Sequence, residues 1–474
     1  VKTRRVFIAL LLATSACATG GGPRVHGATT SAPVALPAPA VLAQPARVLL
    51  VSIHGLSPDR YLAADGAIAM PMLAALAQQG VAAESMRPVF PSASYPAHAT
   101  LVTGVPVAKH GIAAAGLDQA SDLRAVPLWQ AVAQQGRTVA SLDWPTTGGA
   151  AIADLAPDLA VAAGATWLDA LASSGAGRAA EFARRAGGGD PATAAPGAAR
   201  DATLVTMACA LFLAEPAPAL VLLRLSQTQV ALDAAGPDSE PAHAAFAASD
   251  AELGRLVRCL GDAGLLDTTG IAVAGDHGAM PVHTEIRANV ALADAGLLVP
   301  SGSGARSFDA ITRSNGGSAF VYATSDDAAL LARRALDAAA NESGVFRVMS
   351  ASEMVERGAD PEAWFGLEAD PGYLFADAAK GTLLAPASVA SAGGYAASDP
   401  HMATGFVAWG PGLRRGLRVP ELRQSDVAPA LARWLGVSFG PVEGRSMVGW
   451  FAPGNVPAIR VEQAEPAVRV PRRK

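Results

Sequence analysis

Three short stretches of the 474-residue chain carry residue types that can do chemistry. In PVFPSASYPAHATLVTG, residues 88–104, Ser94 stands just ahead of a run with helical character. A serine before a helix usually caps its orphan backbone N–H groups. The same place suits a nucleophile, because the positive helix end favours a developing alkoxide and binds anions such as phosphate. The hydroxyl still needs a base or a metal to become reactive. In AVAGDHGAMPVH, Asp276 and His277 end an apolar run, and Gly278 lets the chain turn close behind them. An adjacent carboxylate and imidazole at a strand end can present two ligands to a zinc-like ion. They can equally form a structural pair, and the local sequence leaves both readings open. His54 ends ARVLLVSIHG in a comparable way. Neither a G-x-S-x-G elbow nor a G-x-x-x-x-G-K-[ST] loop is present, so a serine-triad hydrolase and a P-loop enzyme are unsupported.

The elements that must position these residues read as alternating strands and helices. ARVLLVSIHG, TVASLDW, ALVLLRLS, GIAVAGD and TGFVAWG are short apolar runs of the kind that form buried strands. PMLAALAQQG, AAFAASDAELGRLVRCLGDAG and SDVAPALARWLG have helical spacing and end in glycine. The alternation predicts a mostly parallel sheet covered on both faces, with chemistry at the carboxyl ends of its strands. His54, Asp143 and the Asp276-His277 pair each stand where a strand pattern runs out. Residues 285–390 break the rhythm and are expected to form an inserted cap subdomain; the tail, 451–474, reads as a loose or surface-lying end.

Charged residues make up only 16% and the net charge is -5, which gives no electrostatic reason to expect a nucleic-acid partner. Lys2, Arg4 and Arg5, the apolar run VFIALLLATSACA and the small residues around Cys17 come in the order of an export signal over residues 1–18. Soluble export and lipid anchoring at Cys17 both fit, so the expectation is a periplasmic or envelope-attached protein whose only membrane contact is that anchor. Residues 19–45 read as a flexible linker. Cys209 and Cys259 lie in apolar helical patterns and read first as two buried thiols, with a disulfide open in an oxidising compartment.

Taken in order, VLLVSIHGLSPDRY, PVFPSASYPAHATLVTGVPVAKHGI, DWP, GPDS, GDHGAMPVH and GGYAASDPHMATGFVAWGPGLRRG resemble the nucleotide pyrophosphatase/phosphodiesterases of the alkaline phosphatase superfamily. The resemblance runs over residues 46–450 and implies a doubly wound α/β domain of alkaline-phosphatase type. It also implies phosphodiester or pyrophosphate hydrolysis by a Thr or Ser nucleophile, two zinc ions and a covalent phosphoenzyme.

On that resemblance the nucleophile falls on Ser94, and the Asp-His pair is Asp276 and His277. The Asp expected after the first strand is His54 here, still a good zinc ligand. The second metal site fares differently. Counting back from Gly236-Pro237 puts its Asp and His at Gln229 and Asp233, and its H-G-Y histidine at Gly393. His401 matches another position, Ala97 replaces an Asn that helps hold a phosphate oxygen, and neighbouring His98 is retained. An open zinc site needs about three protein ligands. His54, Asp276 and His277 meet that count beside Ser94, whereas Asp233 alone does not. The expectation is therefore an exported phosphodiesterase-like hydrolase with one zinc ion and reduced activity, acting on a small phosphate ester. The alternative is a non-catalytic relative that binds a phosphorylated ligand or a partner protein.

Overall fold

The computed structural model describes residues 44–464 apart from 63–68, 118, 159–160, 162–163, 174–177 and 303. The export signal with Cys17, the linker up to residue 43 and the last ten residues lie outside that range.

The apolar runs become strands of one nine-stranded sheet: β1 (Arg47–Ile53), β2 (Val81–Arg87), β3 (Val139–Leu142), β4 (Asp154–Ala156), β5 (Leu220–Leu225), β6 (Thr269–Gly275), β7 (Thr404–Trp409), β8 (Leu417–Val419) and β9 (Leu422–Arg423). Their spatial order is β8-β2-β7-β6-β1-β5-β3-β4, with β9 also pairing β2. All pairs are parallel except those of β7, which runs antiparallel between β2 and β6. β1, β3, β5, β6 and β7 are buried along almost their whole length, as strands covered on both faces must be.

Helices cover the sheet: α1 (Pro71–Gln79), α2 (Ser94–Thr103), α3 (Ala198–Leu213), α4 (Gln227–Ala235), α5 (Glu240–Asp262) and, beyond α6 (Asp326–Ser343), which packs elsewhere, α7 (Val427–Leu435). One face packs Leu49, Val51 and Val273 against Leu204, Phe246 and Leu253. The other packs Leu50, Leu222 and Phe406 against Leu101, Leu431 and Trp434. Cys209 of α3 and Cys259 of α5 are half-buried and joined as a disulfide, which corrects the reading as two buried thiols. Periodicity put each cysteine on a helix; the bond depends on the two helices packing side by side.

Residues 310–369 form a second, antiparallel sheet in the order 310–314, 318–323, 365–369, 346–349. With α6 it builds a further apolar core around Val321, Leu336 and Leu367. No described helix is long and apolar enough to cross a membrane.

Register positions the candidate site. Ile53 of β1 pairs with Leu225 of β5 and with Gly275 of β6, so the three strands end level. The next residues, His54, Ser226 and Asp276, therefore leave the sheet at one edge. Gly55 then adopts φ 68°, a left-handed conformation that glycine alone takes cheaply. A β-carbon there would also lie 2.4 Å from Leu232 of α4.

Candidate active site

Asp276 is fully buried and organises the site. Its Oδ1 accepts two backbone N–H bonds, from Gly55 at 3.0 Å and from His277 at 2.8 Å. That leaves Oδ2 facing the reactive side chains. His54 Nδ1–H donates to it at 2.9 Å, Ser94 Oγ–H donates to it at 2.8 Å, and His277 Nε2 stands 3.7 Å away. Burial pushes the carboxyl upward, but the fields of His277 and His54 and the His54 hydrogen bond outweigh it, so Asp276 is held well below the usual carboxylate range. Burial lowers the pKa of His277.

Ser94 does not cap α2. Ala93 takes the N-cap position with extended backbone, and Ser94 is the first helical residue, half-buried, with its hydroxyl turned to Asp276. His98, one turn on, donates from Nδ1–H to the Ser94 carbonyl at 2.7 Å, which leaves that nitrogen unable to accept the hydroxyl proton 3.3 Å away. Burial pushes His98 down to about 4, so it is neutral and fixed. No serine–histidine pair of the triad type exists here.

His54, Asp276 and His277 offer one ligand atom each within 4.8 Å of one another, all buried. His277 Nδ1–H is committed to the Gly278 carbonyl at 2.6 Å, which turns Nε2 inward as the ligating nitrogen. His54 shares a proton with Asp276 that a bound cation would displace. Two imidazoles, one carboxylate and a serine hydroxyl converging on one point fit a zinc-type ion with an open position.

The second set of positions does not fit one. Asp233 is half-buried, raised in pKa by burial, and its carboxylate is hydrogen-bonded to Gln229; it stands outside the His54–Asp276–His277 group. Gln229 Oε1 accepts from Arg224 Nη2 at 2.8 Å. Gly393 lies directly against the site. A β-carbon on it would sit 2.5 Å from His277 Nδ1 and 2.6 Å from the Ser92 carbonyl, so no side chain can enter from that position. The His401 side chain is exposed and bonded to Asp399 at 3.0 Å, so it does not refill this corner.

Arg224 is the residue the sequence reading passed over. It stands inside the apolar run ALVLLRLS, where a buried cation must have built partners. They are Asp158 at 2.9 Å, Gln229, and Asp143 at 3.8 Å. Asp143, at the end of β3 with φ 58°, also faces Arg200 at 3.5 Å, so it serves this ion network.

The profile of type I phosphodiesterases and nucleotide pyrophosphatases matches residues 48–382. No curated protein sequence matches. Among solved structures, human ectonucleotide pyrophosphatase/phosphodiesterase 5 is similar with TM-score 0.63 at 19% identity, covering 84% of this chain and 97% of its own. The murine protein gives TM-score 0.62 at 18% identity, over 86% of this chain and 100% of its own. An inactive variant of the murine protein in complex with AMP gives 0.61 at 19%, over 84% and 97%. These likenesses establish an alkaline-phosphatase-type fold, and the profile, spanning more than two thirds of the sequence, establishes the lineage. The chain belongs to the metal-dependent type I phosphodiesterase/nucleotide pyrophosphatase family.

Proposed function

We propose that this chain is an exported phosphodiester hydrolase that uses Ser94 as nucleophile and a single zinc ion held by His54, Asp276 and His277. The observation that carries this reading is the convergence of Ser94 Oγ, His54 Nδ1 and His277 Nε2 on Asp276 Oδ2. A zinc ion held by His54, Asp276 and His277 would lower the pKa of the serine hydroxyl and stabilise charge on a phosphoryl oxygen.

The chain's own residues supply the rest. The start of α2, with Ala93 at the N-cap and no side-chain cap, places the positive end of the helix beside Ser94, where it favours a phosphate group. Asp276, fixed through Oδ1, holds Ser94 Oγ in one orientation. Ser94 Oγ, its proton lost to solvent, attacks phosphorus. The P–O bond to the leaving alcohol breaks, and that oxygen takes a proton from water. A second water then cleaves the phosphoserine P–O bond, reprotonating Ser94 Oγ and releasing the monoester. Ala97 brings no amide to the phosphoryl oxygens, and a missing donor of that kind costs about a hundredfold in rate. Turnover is accordingly slow. The Cys209–Cys259 disulfide supports an oxidising compartment and hence export.

Zinc content and turnover are measured together to test the reading. The expected result is one zinc per chain and cleavage of an aryl phosphodiester that falls about a thousandfold or more in Ser94→Ala. Zinc-free protein, or trace hydrolysis unchanged by Ser94→Ala, refutes the enzyme. The second reading, a non-catalytic phosphate-ligand binder, is favoured by the Gln229 and Gly393 geometry and predicts that latter outcome with ligand binding retained.

A further inference from the structure

Gln424 stands outside the cradle, yet its side chain touches the main chain on both sides of it. The residue is 1% exposed and comes directly after β9. The Val89 N–H donates to its Oε1 at 3.0 Å, and its Nε2–H donates to the Asp276 carbonyl at 2.7 Å. A backbone N–H can only donate and a backbone carbonyl only accept, so the two bonds fix the amide in one orientation. The bridge needs a side chain that accepts and donates at once.

Topology explains why a side chain makes this link. β2 leads through residues 88–93 into α2 and Ser94, whereas β6 runs out at Asp276. β7 lies between those strands, so their ends are not neighbours in the ladder. β9 pairs in parallel with the end of β2, Met86 with Leu422 and Arg87 with Arg423, which carries Gln424 out beside Val89. From there its amide spans to Asp276. The far end of the 88–93 segment is held separately: Ser92 Oγ–H donates to the Tyr395 carbonyl at 2.7 Å, and the Ser92 carbonyl accepts from the Gly394 N–H at 2.7 Å.

We propose that Gln424 is a positioning residue that sets the separation between the Ser94 nucleophile and the Asp276 carboxylate, the groups that meet at 2.8 Å. This deepens the hydrolase reading and rests on it for the reaction served. Gln424 acts through Val89 and Asp276, not on the substrate. Without it, two buried backbone groups lose their partner, and the segment leading into α2 is free to shift against the end of β6. Asp276 Oδ1 keeps its bonds to the Gly55 and His277 N–H groups. The damage therefore falls on the chemical step and spares zinc and substrate binding. A misplacement of about 1 Å at a reacting atom costs about a hundredfold in rate.

The test uses the full zinc-loaded chain as wild type, Gln424→Met, Gln424→Glu and Asn289→Leu. Gln424→Met removes both bonds. Gln424→Glu has nearly the same shape, keeps an acceptor for Val89 and loses the donor to Asp276, and it carries the test if Gln424→Met does not fold. Asn289 is an equally buried amide bonded to both backbone groups of Thr312 in the second sheet, and it controls for lost stability alone. Zinc content, kcat and KM for an aryl phosphodiester, the thermal midpoint and crystal structures are compared. Both Gln424 variants are expected to lose about tenfold to a hundredfold in kcat with KM and zinc content unchanged. Their Ser94 Oγ–Asp276 Oδ2 separation is expected to change by about 0.5 Å or more. Asn289→Leu is expected to lower the thermal midpoint and leave kcat as in wild type. A wild-type kcat in a folded Gln424 variant, or an equal loss of kcat in Asn289→Leu, overturns the inference. Absent Ser94-dependent turnover in wild type refutes the hydrolase, and the crystallographic separation then decides: a changed separation supports the positioning role and an unchanged one overturns it.

Discussion

At the scale of single residues, the site is built around the two oxygens of Asp276, one held by backbone and one offered to side chains. The sequence made that carboxylate, both histidines and Ser94 legible: each stands where an apolar run or a helix begins or ends, and the ordered family motifs then implied their roles. The contacts of Gly393 and the part played by Arg224 were not legible. Their roles come from what the rest of the chain packs against them, and periodicity carries no such information. Gly393 shows the limit: the family motif marks it as a vacated ligand position, but not that the nearest atom to its missing β-carbon is His277 Nδ1. Gly393→Ala is expected to tilt the His277 ring and break its bond to the Gly278 carbonyl. Disturbing such an outer contact weakens metal binding about tenfold to a hundredfold. Competition with a chromophoric chelator measures it, and an unchanged zinc affinity in folded protein contradicts the expectation.

At the scale of elements, the strand patterns were read with the correct type because the buried runs are continuous and end in His, Asp, Ser or Gly. The antiparallel direction of β7 was not readable, since a strand buried on both faces looks the same whichever way it runs. The pairing of α3 with α5 was likewise hidden until their crossing brought Cys209 to Cys259. The bond closes a loop with a sequence separation of 50. The chain-entropy relation puts its contribution at about 4 kcal/mol, acting on the unfolded chain. Cys209→Ser/Cys259→Ser should therefore lower the denaturant midpoint by an amount near that value divided by the m-value. A midpoint unaffected by the double substitution means the two helices hold without the link.

At the scale of the whole molecule, acid sensitivity follows from two sealed imidazoles. His110 is fully buried, accepts from the Ile112 N–H at 3.0 Å on Nδ1 and faces Thr100 Oγ1 at 3.0 Å with Nε2. Burial pushes His110 down to about 3 and His98 to about 4, while both rings titrate near 6.5 in the unfolded chain. Between those limits the unfolded state binds more protons, so stability is full above 6.5 and falls as the pH drops. The loss reaches roughly 3 kcal/mol for each ring by pH 4. Thermal unfolding from pH 7 to 4 should show the decline, and its slope should lessen in a folded His110→Gln variant. Finally, β7, residues 404–409, is wedged between β2 and β6, which come from residues 81–87 and 269–275. During synthesis β2 must wait, unpaired on that side, for over three hundred residues. A ribosome halted before residue 404 holds a sheet with an open slot and exposed apolar edges, a form that invites chaperones and proteases. The last large strand to emerge is thus the keystone that commits the chain to its native shape.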